Sequence, residues 1–176
     1  MQSNEIHSLE SLRTEKELGI SYNIDKITDN IYLGGVKGLS ESDYFKTEKI
    51  TATLSILKDA PKFVDDENIK HKVIPLDDLY SENIIKYFKE CIEFIEKADK
   101  IFIHCMCGVS RSATIVIAYL LWKTHCSYFD AYFFVKNRRP FIDPNDGFIK
   151  QLKIFEELLK KNDFDLNKID FNSISI

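Results

Sequence analysis

The stretch from Ile101 to Val116 constrains this chain more than any other. Three apolar residues, Ile101, Phe102 and Ile103, end abruptly at His104-Cys105. Met106-Cys107-Gly108-Val109-Ser110 follow, then Arg111-Ser112 and a second apolar run from Ala113 to Trp122. The pattern predicts a strand, a tight loop and a helix N-terminus. Such a loop turns several unpaired backbone N–H groups in one direction, and the helix dipole adds partial positive charge at the same point. The product is an anion cradle. Gly108 permits the sharp backbone curvature such a loop needs. Arg111 supplies a planar fork that can hold two oxygens at once, which Lys cannot. Cys105 lies in the same field, which favours its thiolate, the attacking form.

A Cys-x5-Arg spacing is a weak signal by itself, since a buried Cys and an unrelated surface Arg also produce it. Context narrows it: a strand before, a Gly within, a His ahead of the Cys and a Ser after the Arg. Residues His104 to Ser112 resemble the signature loop of dual-specificity protein phosphatases, within the cysteine-based protein tyrosine phosphatase superfamily. Asn30 to Gly34 and Ile50 to Leu57 resemble that family's early strands. Val135 to Pro140, Pro144 to Phe148 and Gln151-Leu152 resemble its C-terminal helices. The resemblance spans roughly residues 25 to 160, one domain's length. It implies Cys105 as nucleophile and Arg111 as phosphate clamp. Met106, Cys107, Gly108, Val109 and Ser110 would complete the phosphate-binding loop. His104 would orient the loop and support the thiolate, and Ser112 would donate to the leaving thiolate. Ser110 is expected to contribute its backbone N–H rather than its side chain.

Such a mechanism needs an acid for the departing oxygen, and the same group then serves as base on the hydrolytic water. Val73-Ile74-Pro75-Leu76-Asp77-Asp78 carries the candidate. Aligning Ile74-Pro75 and Asn83-Ile84 with the family pattern places the acid at Asp78, with Asp77 one position away. The bland alternative for either is an ordinary loop or capping carboxylate. Leu79 and Tyr80 are expected on the pocket rim. Asn145 reads as a helix cap. Asp143 stands where many family members carry Ser. Cys107 reads as a passive small residue; the sharper alternative is a redox guard for Cys105. Lys136, Arg138 and Arg139 read as a solvated helix end that could hold an acidic substrate flank.

The 176 residues suffice for one domain with a real core. Apolar content of 44% and charged content of 30% are ordinary for a globular chain. A net charge of −4 brings no global basic field, so nucleic acid is not an expected partner. Strand patterns at 26–34, 50–57, 71–76 and 100–104 alternate with helical ones. Ile84, Ile85, Phe88, Cys91, Ile92 and Ile95 share one helical face. Ser127-x-x-Asp130 forms a capping box for a helix through Asn137, and Phe148 to Lys160 reads as the last long helix. The expectation is an α/β fold: a central, mostly parallel, twisted sheet of about five strands flanked by helices. Its active loop sits at a strand's carboxyl end.

Residues 1–24 are expected to be an extension, loosely helical or disordered, around Leu9, Leu12 and Leu18. Residues 25–161 would be the catalytic domain and 162–176 a tail that packs on its own chain. The polar start Met-Gln-Ser-Asn-Glu has no signal core, and Gln2 excludes N-myristoylation. Ala113 to Trp122 is too short to span a bilayer. Four Cys (Cys91, Cys105, Cys107 and Cys126) read as free thiols. Cytoplasm and/or nucleus is the expected location, with no membrane partner, no metal and no organic cofactor.

The resemblance implies a phosphoprotein phosphatase acting on phosphotyrosine and on phosphoserine or phosphothreonine through a phosphocysteine. The chain lacks an equivalent of the extra loop that deepens tyrosine-only pockets. Two alternatives stay open. One is a phosphatase for phosphoinositide, glycan or RNA phosphate; relatives that act on lipid heads tend to place Lys in the loop, which this chain does not. The other is a catalytically inactive phosphate-binding module.

Overall fold

The computed structural model describes residues 23–61 and 68–174. The readings of Leu9, Leu12 and Leu18 lie outside the described residues. Five strands form one sheet in the order β1-β2-β5-β3-β4. These are β1 (Ile24–Lys26), β2 (Ile31–Gly35), β3 (Ala52–Ile56), β4 (Lys70–Ile74) and β5 (Ile101–Cys105). All neighbours are parallel except β1 and β2. The mostly parallel α/β expectation holds, with an antiparallel strand at one edge.

The pattern at 26–34 splits into two strands rather than one. Thr28 Oγ1 accepts from the backbone N–H of Asn30 at 3.4 Å and of Ile31 at 3.0 Å, and this turn folds the run into a hairpin. Five α-helices are present among the described residues: α1 (Ser42–Glu48), α2 (Phe88–Glu96), α3 (Arg111–Thr124), α4 (Tyr128–Arg138) and α5 (Asp146–Lys161). α1 has no counterpart in the sequence reading. It spans only seven residues and lacks a side-chain cap, so its local signal is weak.

β5 lies at the centre, and every one of its residues is buried. That is the reason for its unbroken apolar run. Its residues alternate between two cores. Ile101, Ile103 and Cys105 face the larger one, with Leu33, Leu54, α2, α3 and α5. Phe102 faces a smaller one with Tyr32, Phe45 and Ile50 under α1. The rings of Phe45 and Phe102 meet edge to face at 5.5 Å. α3 is buried from Arg111 to Leu121 and touches α2, α4, α5 and the sheet. The predicted helical face is buried at each of its residues from Ile84 to Ile95, with Ile84 and Ile85 at the start of a separate 3-10 turn that leads into α2. Each such side chain contributes about 1.5–3 kcal/mol relative to exposure. Residues 162–174 pack against the preceding elements. Leu166, Ile169 and Phe171 are buried, and Trp122 Nε1 donates to the Phe164 carbonyl at 3.1 Å.

Parallel register aligns Gly35 at the end of β2 with Cys105 at the end of β5. The loop after β5 therefore emerges at the carboxyl edge of the sheet, where parallel sheets place ligands. Val36 N–H donates to Met106 O at 3.0 Å and ties the loop to β2.

Candidate active site

Met106 to Ser110 close a tight loop between β5 and α3. Gly108 sits at φ +69°, a conformation open to Gly. A Cβ there would lie 2.3 Å from the Gly34 carbonyl carbon, so the loop also needs the missing side chain for space. Cys105 is buried, and two donors converge on its sulfur. Gly108 N–H lies 3.3 Å from Sγ and Ser112 Oγ 3.2 Å. The side chain thus sits at the loop end of the larger core, with its sulfur within reach of the loop's donors. No side chain caps the N-terminus of α3. Its first amides stay open towards the loop.

Arg111, the first residue of α3, reaches the stretch after β4 that carries Asp78. One Nη donates to the Leu76 carbonyl at 3.0 Å. Its Nε is buried and has no hydrogen-bond partner among the described residues. The nearest carboxylate oxygen, Asp78 Oδ2, is 3.8 Å away, beyond hydrogen-bond length. An orphaned buried donor of this kind is rare and calls for an acceptor.

Asp78 places its carboxylate beside the loop. Its Oδ1 accepts from Ser110 Oγ at 2.7 Å and from Asn145 Nδ2 at 2.8 Å. Asp77 turns away and pairs with Lys58. The two neighbouring carboxylates are thereby separated, and the one chosen by alignment faces the cradle. Leu79 and Tyr80 are exposed beside it. The Ser110 hydroxyl has a contact that the sequence did not suggest, since it donates to Asp78. At ψ −76° Ser110 lacks the extended backbone of a capping residue, and its side chain turns to the acid instead.

His104 lies beneath the loop and is fully buried. Burial lowers its pKa from 6.5 to about 4, so the ring is neutral at physiological pH. Ser55 Oγ is 2.5 Å from Nε2, and Nδ1 is 3.4 Å from the Cys105 carbonyl. A carbonyl only accepts, so Nδ1 carries the proton and Ser55 donates to Nε2. The ring also stacks on Phe102 at 5.3 Å. His104 anchors the loop's first residue and brings no positive charge to the thiol.

Asn145 does more than cap α5. Its Oδ1 accepts from Phe148 N–H at 3.0 Å as expected, and its backbone N–H donates to Ser110 Oγ at 3.1 Å. Gln151, fully buried, braces the stretch after Asp78. It accepts from the N–H groups of Ile84 and Ile85 and donates to the Glu82 carbonyl. Cys107 is exposed and, like the other three cysteines, unpaired. No metal-binding cluster occurs among the described residues.

The basic cluster is corrected on one point. Arg139 is not solvated; it is fully buried and paired with Asp25. The signal was present in the spacing. Ala131 and Val135 mark the buried face of α4, and Arg139 continues it four residues on.

The model of the family described as dual specificity phosphatase, catalytic domain, matches residues 31–158. Human dual specificity protein phosphatase 9 is 36% identical over 77% of this chain, which spans 36% of that relative. Human dual specificity protein phosphatase 22 is 35% identical over 76% of this chain, which covers 74% of it. The first curated relatives are thus about three times longer than the matched segment. The crystal structure of human tyrosine phosphatase-like serine/threonine/tyrosine-interacting protein superposes with a TM-score of 0.75 at 28% identity. That match covers 80% of this chain and 99% of the other. A tight loop whose donors meet the Cys105 thiol, followed by Arg111 at the start of α3 and lying within a span matched by the family model, places this chain in the dual-specificity phosphatase family.

Proposed function

We propose that this chain is a phosphoprotein phosphatase that hydrolyses phosphotyrosine and phosphoserine or phosphothreonine through a phosphocysteine. The observation that carries the reading is the buried Nε of Arg111, which has no hydrogen-bond partner among the described residues and opens the helix that follows the loop meeting the Cys105 sulfur. An oxyanion seated in the loop supplies the acceptor that this nitrogen lacks. The loop amides from Met106 to Ser110 and the open end of α3 meet its other oxygens.

In the first step the Cys105 thiolate attacks phosphorus. The P–S bond forms, the ester P–O bond breaks, and Asp78 gives its proton to the departing oxygen. In the second step the Asp78 carboxylate takes a proton from water as that water attacks phosphorus. The P–S bond breaks, phosphate leaves, and the returning thiolate receives the Ser112 hydroxyl as donor. Ser110 and Asn145 hold Asp78 in line with the loop. His104 and Ser55 hold the backbone at Cys105. Exposed Leu79 and Tyr80 border an open rim that admits short as well as long phosphoamino acids. Residues 25–161 would be the catalytic unit, with 162–174 docked against it. The unpaired thiols fit a reducing compartment, cytosol or nucleus, and a signalling role.

Steady-state hydrolysis of an aryl phosphate, a matched set of phosphopeptides and phosphoinositide vesicles tests the assignment. Turnover of both phosphotyrosine and phosphothreonine peptides is the expected result. A strong preference for the lipid moves the substrate to a non-protein ester. No turnover of any, with phosphate still bound, makes the chain a binding module.

A further inference from the structure

Arg139 grips two consecutive carbonyls on the outer side of the phosphate loop. Its Nε donates to Gly108 O at 2.7 Å and one Nη donates to Cys107 O at 3.1 Å. In a planar trans peptide the C=O and the following N–H point in opposite directions. A carbonyl pinned outward therefore turns the next N–H inward. Pinning Cys107 O aims Gly108 N–H at the loop interior, where it does reach Cys105 Sγ at 3.3 Å. Pinning Gly108 O aims Val109 N–H the same way. Two cradle amides thus take their direction from one guanidinium.

That guanidinium is fully buried, and its remaining Nη donates to Asp25 Oδ2 at 2.6 Å. Asp25 lies on β1, the edge strand, 114 positions earlier in the chain. An uncompensated buried cation is costly, so Asp25 both neutralises the guanidinium and fixes its rotation. Only Arg has the flat fork to reach two carbonyls and a carboxylate at once. We infer that Asp25 is a positioning residue for the phosphate loop, acting through Arg139 to turn the Gly108 and Val109 amides towards the anion. The consequence for the reaction rests on the phosphatase reading above; the consequence for anion binding does not.

The test compares the full chain with Asp25→Asn, Arg139→Lys and the double substitution Asp25→Asn/Arg139→Met. Tungstate, a tetrahedral oxyanion, is the probe for the cradle. In Asp25→Asn its dissociation constant is expected to rise about tenfold or more, the scale of a lost hydrogen bond to a charged group. The acid limb of kcat/KM for an aryl phosphate is expected to move to higher pH. Arg139→Lys keeps the charge, loses the double grip, and is expected to weaken tungstate similarly. The double variant removes both buried charges and serves if Asp25→Asn does not fold. It should bind tungstate no worse than the weaker single variant. Tungstate affinity within twofold of wild type in folded Asp25→Asn, or in the folded double variant, overturns the inference. Wild-type chain that binds tungstate without turning over any phosphate ester refutes the phosphatase reading and leaves this one standing.

Discussion

Asn145 Nδ2 donates to Asp78 Oδ1 at 2.8 Å, so the residue that starts α5 also holds the carboxylate beside the phosphate loop. The two lie 67 positions apart. A helix cap and an acid are joined by one amide, with Ser110 between them. The same side chain therefore caps α5 through its oxygen and holds Asp78 through its nitrogen, and the two contacts can be separated.

Asn145→Ser keeps a good capping oxygen and removes the donor to Asp78. Its melting temperature should stay near wild type, while kcat for an alkyl phosphate falls several-fold. Asn145→Ala removes both, and stability should drop by about 1 kcal/mol, the usual cost of a lost cap. Thermal melts alongside kinetics separate the effects. Equal activity in Asn145→Ser and wild type would show that the contact is only structural.

Asp78→Asn tests the acid directly. For phosphoserine peptides, whose alkoxide leaves poorly, kcat should fall about 10²–10⁴-fold, the usual range for a lost general acid. For an aryl phosphate with a good leaving group the loss should be much smaller. Asp77→Asn should behave as wild type, since Asp77 pairs with Lys58 at the surface. The reverse pattern would move the acid by one residue.

Cys105→Ser should abolish turnover by at least about 10³-fold, because the nucleophile acts as a unit with its loop. Calorimetric binding of phosphate should survive, since the amides and Arg111 remain. Residual turnover within tenfold of wild type would rule out a phosphocysteine.

His104 predicts a pH dependence of stability. Its pKa falls from 6.5 to about 4 on burial, so the unfolded chain binds the proton more tightly. Stability is then full above pH 6.5 and is lost as pH falls towards 4. The contribution is about 3 kcal/mol. Urea unfolding of wild type and His104→Gln at pH 7 and pH 5 measures it. A smaller loss at pH 5 in the variant is expected; equal losses would assign the slope to other groups.

Much of this protein could be read along the chain. The apolar run into His104-Cys105, Gly108 and Arg111 specify strand, loop and helix through interactions spanning only a few residues. The buried faces of α2 and α3 follow from periodicity in the same way. Asp78 was legible only by alignment with a family pattern. Its distinction from Asp77 became physical when Ser110 and Asn145 met one carboxylate and Lys58 the other. Ser55 beneath His104, and Asp25 behind Arg139, lie 49 and 114 positions from their partners. No local propensity encodes contacts at such separations. They arise because the sheet sets β1, β3 and β5 in register and α4 returns its last turn to the loop. Local sequence determined the loop and the cysteine that faces it. Tertiary packing decided which distant side chains meet the loop carbonyls and the Asp78 carboxylate, because burial forces each polar group to find whichever partner the fold brings within reach.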